Sequence, residues 1–254
     1  MFLSADKIKA FSISLAISAT IVGIVFVLIF FFWYPKPFFE ANGAWTVLRI
    51  LIGVDLIMGP LLTLILYKKG KKGLVLDLCL IAAIQLTALT YGTSVIYGAR
   101  PYYLVFVVDR FEIIGEKEID ASKIIHPMLR VKPNKGPIMV FTDIPQDAEE
   151  AQKIMFETVM DGAPDIERRP ELYQLYLPNV SKVLNKAKNI SELIEMDENN
   201  KREVDKFLAS YPNKIDDLLF IPLVGRNHSL ALVIDKMTGI PIDGISVDPW
   251  ARKN

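Results

Sequence analysis

Three long apolar runs fill the first hundred residues of the chain, and they predict three membrane-spanning helices. Phe11 to Trp33 holds no charged residue over 23 positions, and about 20 helical residues suffice to cross a bilayer core. The second run, Val47 to Tyr67, contains Asp55, and the third, Leu74 to Tyr97, is uncharged after its first turn. The alternative for the first run is a cleaved signal peptide. We expect an uncleaved anchor, because the apolar stretch is too long and no small-residue cleavage site follows it.

The lysines around these runs predict their orientation. Lys7 and Lys9 precede the first run, four lysines lie at positions 68 to 72 between the second and third, and the first link offers only Lys36. Because positive loops stay in the cytoplasm, the N-terminus and the Lys-rich turn are predicted there. The chain after about Arg100 then lies outside, which in a bacterium is the periplasm. A patch for lipid headgroups or nucleic acid is the less favoured reading of these lysines.

Charge divides the chain at the same place. Residues 1–100 hold 9 basic and 4 acidic side chains, net +5, whereas residues 101–254 hold 20 basic and 25 acidic ones, net −5. We therefore expect a membrane domain over 1–100 and a soluble domain over 101–254. The overall net charge of zero gives no reason to expect a nucleic-acid partner. The lone Cys79 excludes an internal disulfide.

The second half has the pattern of a mixed domain. Strands are predicted at 103–108 and 138–141, and helices at 146–160, 180–187 and 200–208, from their apolar spacing. Three further strands, 218–224, 229–234 and 240–247, are joined by short connections rich in turn residues, which indicates hairpins. The predicted fold is thus a bundle of three transmembrane helices plus a soluble α+β domain that ends in an antiparallel β-meander.

No sequence motif for catalysis is present. His126 and His228 are the only histidines, no cysteine lies after residue 100, and no P-loop, GxGxxG or GxSxG motif occurs. We therefore expect no catalytic residue, no metal site and no cofactor.

Asp55 is the most informative residue of the apolar runs. A charge at that depth costs at least roughly 2.5–3.5 kcal/mol, so Asp55 should face protein and have a partner, or be protonated. Gly59 and Pro60 follow one turn later, and Pro60 removes the amide that would bond the carbonyl of Leu56, which predicts a kink. Counted from the cytoplasmic ends, Asp55, Gln85 and Thr20 lie at heights of about 18, 17 and 14 Å, so they could meet as an interhelical cluster.

Two interpretations of this cluster remain open. It either only holds the bundle together, since intramembrane polar contacts are usual packing devices, or it is a docking point for a polar group on another membrane helix. A proton pathway is less favoured, because the runs contain one deep acid and not a chain of them.

Several segments, spread nearly end to end, resemble the TfpX/TfpZ family of type IV pilin accessory proteins. The similar segments are Trp33-Tyr34-Pro35, Gly53-Val54-Asp55-Leu56, Gly59-Pro60-Leu61-Leu62, the Lys-rich turn, Gln85-Leu86, Arg100-Pro101, Asp109-Arg110-Phe111 and Asp248-Pro249-Trp250. The resemblance implies a bacterial inner-membrane protein that helps its cognate major pilin be assembled, stabilised or displayed. The resemblance implies no catalytic residues in this chain.

The residues and the resemblance together give a hypothesis. Asp55, Gly59, Pro60, Gln85 and Thr20 would hold the single membrane helix of the pilin, and the outer domain would meet the pilin headgroup. Other inner-membrane proteins of pilus assembly are further candidate partners, beside the lipid bilayer itself. The alternatives are an envelope enzyme that modifies pilin and a membrane sensor of piliation. The first lacks an acid–base constellation, and the second lacks a cytoplasmic output domain.

Overall fold

The chain forms two compact units in the computed structural model, which describes residues 4–131, 136–211 and 215–250. The first unit is Met1–Trp33 with Ala44–Ala99, and the second is Tyr34–Gly43 with Arg100–Asn254. This division differs from the expected one in one segment. Tyr34–Gly43, which links the first two apolar helices, is part of the second unit and not of the first.

The first unit is entirely helical. Along the chain to residue 98 the α-helices are α1 (Ala5–Leu28), α2 (Phe38–Ala41, in the second unit), α3 (Trp45–Ile52), α4 (Gly59–Leu66) and α5 (Leu74–Gly98). π-Helical turns extend α1 over Ile29–Trp33 and join α3 to α4 over Gly53–Met58. Three continuous helices result, Ala5–Trp33, Trp45–Leu66 and Leu74–Gly98, each long and apolar enough to cross a membrane. That they do cross one is inferred from length and composition.

The Lys-rich turn between the second and third of these helices is closed by local contacts. Gly73 precedes α5 with φ +85°, a left-handed conformation that glycine adopts without steric cost. The ammonium group of Lys71 pairs with Asp77 in the first turn of α5 at 2.5 Å. Lys69 pairs with Asp6 at 3.5 Å, so the start of the first helix and the Lys-rich turn lie at the same end of the bundle.

The second unit is built on one mixed sheet. Its strands are β1 (Pro101–Val107), β2 (Arg110–Gly115), β3 (Ile138–Thr142), β4 (Gln174–Leu175), β5 (Lys188–Asn189), β6 (Leu218–Val224), β7 (Ser229–Asp235) and β8 (Pro241–Ile245). The order is β4-β3-β1-β2-β6-β7-β8, with β5 paired to β6. The β1–β3 and β2–β6 pairs are parallel and the others antiparallel. The predicted C-terminal antiparallel meander is confirmed as β6-β7-β8.

The second unit has four α-helices: α6 (Ala148–Met160), α7 (Val180–Leu184), α8 (Ile190–Met196) and α9 (Glu198–Ser210). Helix α7 packs on one face of the sheet, and α8 and α9 pack on the other. Short 3₁₀ turns lie at Glu116–Glu118, Ala121–Lys123, Pro127–Arg130, Ile166–Arg168, Pro170–Leu172, Leu177–Asn179 and Ile215–Asp217. Side chains alternate along β6, so Ile221 packs in the core with Val183 of α7, whereas Phe220 packs with Leu193 of α8 and Val204 of α9. Burial on both faces explains why β6 is almost continuously apolar.

The segment Tyr34–Gly43, which we call the strap, is an integral part of this core. Phe38 and Ala41 pack in the same cluster as Ile221. The carbonyl of Ala41 accepts hydrogen bonds from the amides of Asn227 and His228, at 3.2 and 3.3 Å. The side chain of Tyr34 is also buried in this unit, and its ring meets that of Phe39 edge-on.

Helix α6 confirms the predicted element but not the packing that an amphipathic pattern suggests. Asp147 caps its first turn by accepting from the amide of Glu150 at 2.9 Å. None of its residues is buried, and Phe156 and Val159 expose 61% and 73% of their surface. Arg169 attaches the helix to the unit by donating to Glu157 at 2.8 Å.

Candidate functional site

An open cavity lies between the three apolar helices of the first unit. Its volume is about 680 Å³, and α1, the second apolar helix and α5 all contribute to its wall. Half of the lining residues are aliphatic, and the other half includes the charged Asp6, Lys9 and Lys69 as well as Asp55. Ile13, Ile17 and Leu86 line the cavity, and each keeps more than half of its surface exposed, so the cavity opens to the surroundings of the bundle.

The carboxyl group of Asp55 is the exceptional polar group of this wall. Asp55 is 4% exposed, and among the described residues neither of its carboxylate oxygens has a hydrogen-bond partner. A buried acceptor without a donor is costly even in an ordinary protein interior, and more so in lipid. The fold therefore buries the carboxyl group of Asp55 without giving either of its oxygens a hydrogen bond.

The backbone around Asp55 shows how the Gly-Pro pair shapes the site. In an α-helix the amide of Gly59 would donate to the carbonyl of Asp55, but here it donates to Val54, because the turn is a π-turn. The next amide that could replace it belongs to Pro60, which has no N–H. The carbonyl of Asp55 therefore loses its helical partner. The sequence predicted a loose carbonyl at Leu56, and the π-turn moves it to Asp55.

Gln85 of α5 supplies the missing donor. Its Nε2 donates to the carbonyl of Asp55 at 3.2 Å and to the hydroxyl of Ser18 at 3.3 Å. A Cβ on Gly59 would lie 1.9 Å from this Nε2, so only glycine leaves room for the amide. Gly59, Pro60 and Gln85 thus act together. Pro60 lacks the backbone amide that would bind the Asp55 carbonyl, the side chain of Gln85 supplies a donor in its place, and Gly59 leaves room for that side chain.

A second polar contact joins α1 to α4 below this point. The hydroxyls of Ser14 and Thr63 lie 3.2 Å apart, and Thr63 donates to the carbonyl of Gly59 at 3.0 Å. Both hydroxyls line the same cavity as Asp55. The hydroxyl of Thr63 and the amide of Gln85 are therefore engaged with other hydroxyls and with backbone carbonyls, and not with the carboxyl group of Asp55.

The structure brings together Asp55, Gly59, Pro60 and Gln85, but it does not place Thr20 with them. Thr20 is exposed, and its hydroxyl donates to the carbonyl of Ala16 in its own helix at 2.8 Å. The height estimate was wrong for Thr20 because height does not fix the face of a helix: Thr20 lies about 200° around α1 from Ser18 at 3.6 residues per turn. The sequence signal that could have identified Ser14 and Ser18 is their spacing of four, which puts both on one face.

The second unit holds a cluster of charged side chains, but these side chains pair with one another. Arg168 lies 3.5 Å from Glu118 and 3.8 Å from Glu112, and Arg110 donates to Glu112 at 3.0 Å. Burial raises the pKa of Glu167 beside them, and the negative charge of Glu112 adds to the effect. These mutually paired groups indicate a structural network that ties β2 to the 3₁₀ turns.

The two histidines take no part in either cluster. His126 and His228 are exposed, and within 4–131, 136–211 and 215–250 no group of three His, Cys, Asp or Glu side chains is placed to hold a metal ion.

Comparison with known proteins identifies the family. The family model "Fimbrial assembly protein FimB" matches residues 3–43. The chain is 31% identical over 258 aligned positions to the fimbrial assembly protein of serogroup I of Dichelobacter nodosus, and 30% identical to that of serogroup E1; both alignments cover 97% of this chain and 98% of the relative. The protein of serogroups C1 and C2 is 40% identical over 46% of this chain and 90% of its own length. No solved structure matches. Since the similarity to the first two relatives runs end to end, the chain belongs to the fimbrial assembly protein family.

Proposed function

We propose that the protein is an accessory protein of the bacterial inner membrane, of the TfpX/TfpZ type, that acts on its cognate major type IV pilin. It assists assembly, stability or surface display of the pilin through non-covalent contacts, and neither a catalytic step nor a cofactor is part of the proposal. The similarity of the chain to fimbrial assembly proteins supports a role in the assembly of fimbriae or pili.

The observation that carries the proposal is the carboxyl group of Asp55, which is buried but unpartnered at the wall of an open cavity. Intramembrane ionisable groups without a structural partner are functional candidates, because no interaction within the isolated chain offsets the free-energy cost of burying them. Aliphatic side chains such as those of Ile13, Ile17 and Leu86 line the same cavity, which suits the side chains of another membrane helix. We assign Asp55, Gly59, Pro60 and Gln85 to this partner site, and the pilin helix to the partner.

The strap supports the proposed topology. It follows the first apolar helix, and it folds into one unit with the chain after the third. If all three helices span the bilayer, both segments must lie on the same side, as the lysine distribution also predicts. We therefore propose a cytoplasmic N-terminus and a periplasmic second unit, which is placed to meet the pilin headgroup. Other inner-membrane proteins of pilus assembly are further proposed partners.

A deletion in the native host tests the proposed role. Total pilin and surface pili are measured with and without the retraction motor. Loss of surface pili with normal total pilin, restored when the motor is removed, would support a role in the balance of assembly and retraction. Loss of the pilin itself would support a stabilising role. Unchanged pilin and unchanged pili would contradict the proposal.

Variants of the full-length protein test the partner site. Asp55→Leu should reduce co-purification of pilin with the protein, while Asp77→Asn should not. Asp77 is a suitable control because it is also acidic and also in the bundle, but it pairs with Lys71 outside the cavity. An equal yield of pilin with both variants would remove Asp55 from the site. An unchanged mass of intact pilin in the deletion strain would argue against the alternative of a modifying enzyme.

A further inference from the structure

We infer that the Asp55 cavity selects an apolar membrane helix that carries one carboxyl group at the depth of Asp55. The two carboxyl groups bind each other through hydrogen bonds and keep at least one proton between them. The inference deepens the proposed function and rests on it only for the identity of the protein that supplies the helix. It concerns the chemistry of the group that Asp55 binds, which the preceding proposal does not specify.

The Asp55 carboxyl group is buried without a cation beside it in the part of the chain that the structure describes. Asp55 is 4% exposed, and its two carboxyl oxygens have no hydrogen-bond partner among those residues. Since an unpaired charge in the middle of a membrane is costly, the neutral carboxylic acid is the form that these surroundings favour. A carboxylic acid both donates and accepts a hydrogen bond. A second carboxyl group, which can do the same, is therefore its closest complement.

The other titratable side chains of the cavity wall lie at the end of the bundle that holds the Lys-rich turn. They are Asp6, Lys9, Tyr67 and Lys69, and the side chains that α5 contributes are uncharged. Lys69 pairs with Asp6 at 3.5 Å, and Lys9 is nine residues before Ser18, which is about 14 Å along α1. The two lysines exceed the one aspartate by a net charge of +1. Because this end repels a cationic helix and attracts an anionic one, the wall favours an acidic ligand.

Proton sharing is a further argument for a carboxyl group on the partner. A lone carboxyl group on another membrane helix has the same burial cost as that of Asp55. When the two groups meet, they share a proton, and the hydrogen bond from a neutral acid to a carboxylate is roughly twice as strong as one between neutral groups. A helix with an amide at this position gains only neutral hydrogen bonds, and a helix with leucine gains none.

Depth identifies a helix, and not a lipid, as the source of the second carboxyl group. Asp55 is ten residues after Trp45 and eleven before Leu66, the ends of its helix, so it lies about 15 Å from either end at 1.5 Å per residue. Carboxyl groups of lipids stay at the interface, whereas a side chain on a spanning helix reaches the middle of the bilayer. The volume of the cavity, about 680 Å³, is within the range of ordinary ligand pockets and accepts side chains from one face of a helix.

The test uses the full-length protein in lipid nanodiscs and four synthetic peptides. Each peptide is an apolar Leu/Ala helix of spanning length that differs only at its central residue, which is Glu, Gln, Leu or Lys. Binding is measured by energy transfer between labelled peptide and labelled protein. We expect the Glu peptide to bind about tenfold more tightly than the Leu peptide, which corresponds to two intramembrane hydrogen bonds. The Gln peptide should lie between them, and the Lys peptide should bind no more tightly than the Leu peptide.

Variants of Asp55 separate a neutral acid from a carboxylate. Asp55→Asn keeps a neutral donor and acceptor, so it should still bind the Glu peptide more tightly than the Leu peptide, whereas Asp55→Leu should lose this preference. Asp77→Asn should leave all four affinities unchanged. Infrared difference spectra between the unaltered protein and Asp55→Asn, recorded at neutral pH without peptide, should contain the carbonyl band of a neutral acid. The helical content and monodispersity of each variant are checked first, which separates loss of binding from loss of folding.

Two binding results would overturn the inference: equal binding of the Glu and Leu peptides to the unaltered protein, or tightest binding of the Lys peptide. Carboxylate bands in place of the acid band would overturn it as well, because Asp55 would then be charged in the free protein. Failure here is distinguishable from failure of the proposed function. Pilin that co-purifies without any peptide preference contradicts only the inference, whereas an intact preference without any pilin co-purification contradicts only the proposed partner.

Discussion

Substitution of Gly59 by alanine should destabilise the helical unit through one specific side chain, Gln85. The added Cβ would lie 1.9 Å from Nε2 of Gln85, so the amide must withdraw. Withdrawal breaks its bonds to the carbonyl of Asp55 and to the hydroxyl of Ser18. Because Pro60 has no amide, the carbonyl of Asp55 then has no replacement donor in its own helix.

The magnitude follows from these losses. Interhelical hydrogen bonds within membranes contribute about 0.6 kcal/mol each on average. A buried carbonyl left without a partner costs about 1–3 kcal/mol. The gain in helix propensity from glycine to alanine offsets about 1 kcal/mol. Gly59→Ala should therefore lower the free energy of unfolding by about 1–3 kcal/mol, and Gln85→Ala, which has the same losses without the offset, by somewhat more.

The double variant provides the decisive comparison. Once Gln85 has been shortened to alanine, the Cβ at position 59 meets no amide, and the two hydrogen bonds are lost only once. The double variant should thus be no less stable than Gln85→Ala alone, with a coupling of about 2–4 kcal/mol between the sites, equal to the losses that the two single variants share. Stability is measured by titration with denaturing detergent, followed by helical circular dichroism. Gly23→Ala is the matched control, because no atom lies within 4 Å of its added Cβ. Additive effects of the two substitutions would refute the reasoning.

The second unit offers three tests of its packing, all read by thermal unfolding. Gly225→Ala should destabilise by about 1–3 kcal/mol, because its Cβ would lie 2.3 Å from the carbonyl oxygen of Ala41 in the strap; an unchanged midpoint would contradict that contact. Phe156→Ser should change stability by less than about 0.5 kcal/mol, whereas Phe220→Ala should cost about 3–5 kcal/mol, because the first side chain is exposed and the second fully buried. Hydrogen bonds from the threonine three residues on hold the pKa of Asp235 below its usual range. A lowered pKa stabilises above the unfolded value near 3.9 and loses that effect as pH falls through the folded value, so Asp235→Asn should lower the midpoint at pH 7 and have no effect in strong acid.

The long apolar helices and the C-terminal meander were predictable because their patterns are local. An uncharged run such as Phe11 to Trp33 allows few other structures, and the strands of the meander are bounded by turn residues. Strand β2 was missed, because its turn is unusual: Val108 adopts φ +55°, which is rare for a β-branched residue and gives no turn signal in the sequence. The exposed face of α6 was also beyond prediction, since an amphipathic pattern does not say whether its apolar side is covered.

The candidate site was predictable in part for the same reason. An acidic residue within an apolar run predicts a special site by itself, and Pro60 predicts an interruption in the hydrogen bonds of the helix. The sequence could not place Gln85 on the carbonyl of Asp55, because that depends on the rotation of one helix against another. The same rotation decided between Thr20 and Ser18. Height along a helix can be counted from the sequence, whereas the face that meets a neighbour is fixed by packing.

The strap has a consequence for the order of events during biosynthesis. It leaves the ribosome early, but the amides that bind its Ala41 carbonyl belong to Asn227 and His228, more than 180 residues later. At about 5–20 residues per second, the strap waits for roughly 10–40 seconds before its partners exist. During that interval Phe38, which is buried in the finished fold, lacks the side chains of β6 and β7 that share its core cluster, such as Ile221 and Leu232. A second unit excised at residue 100 would therefore lack a piece of its own core, because the strap lies before that point in the chain.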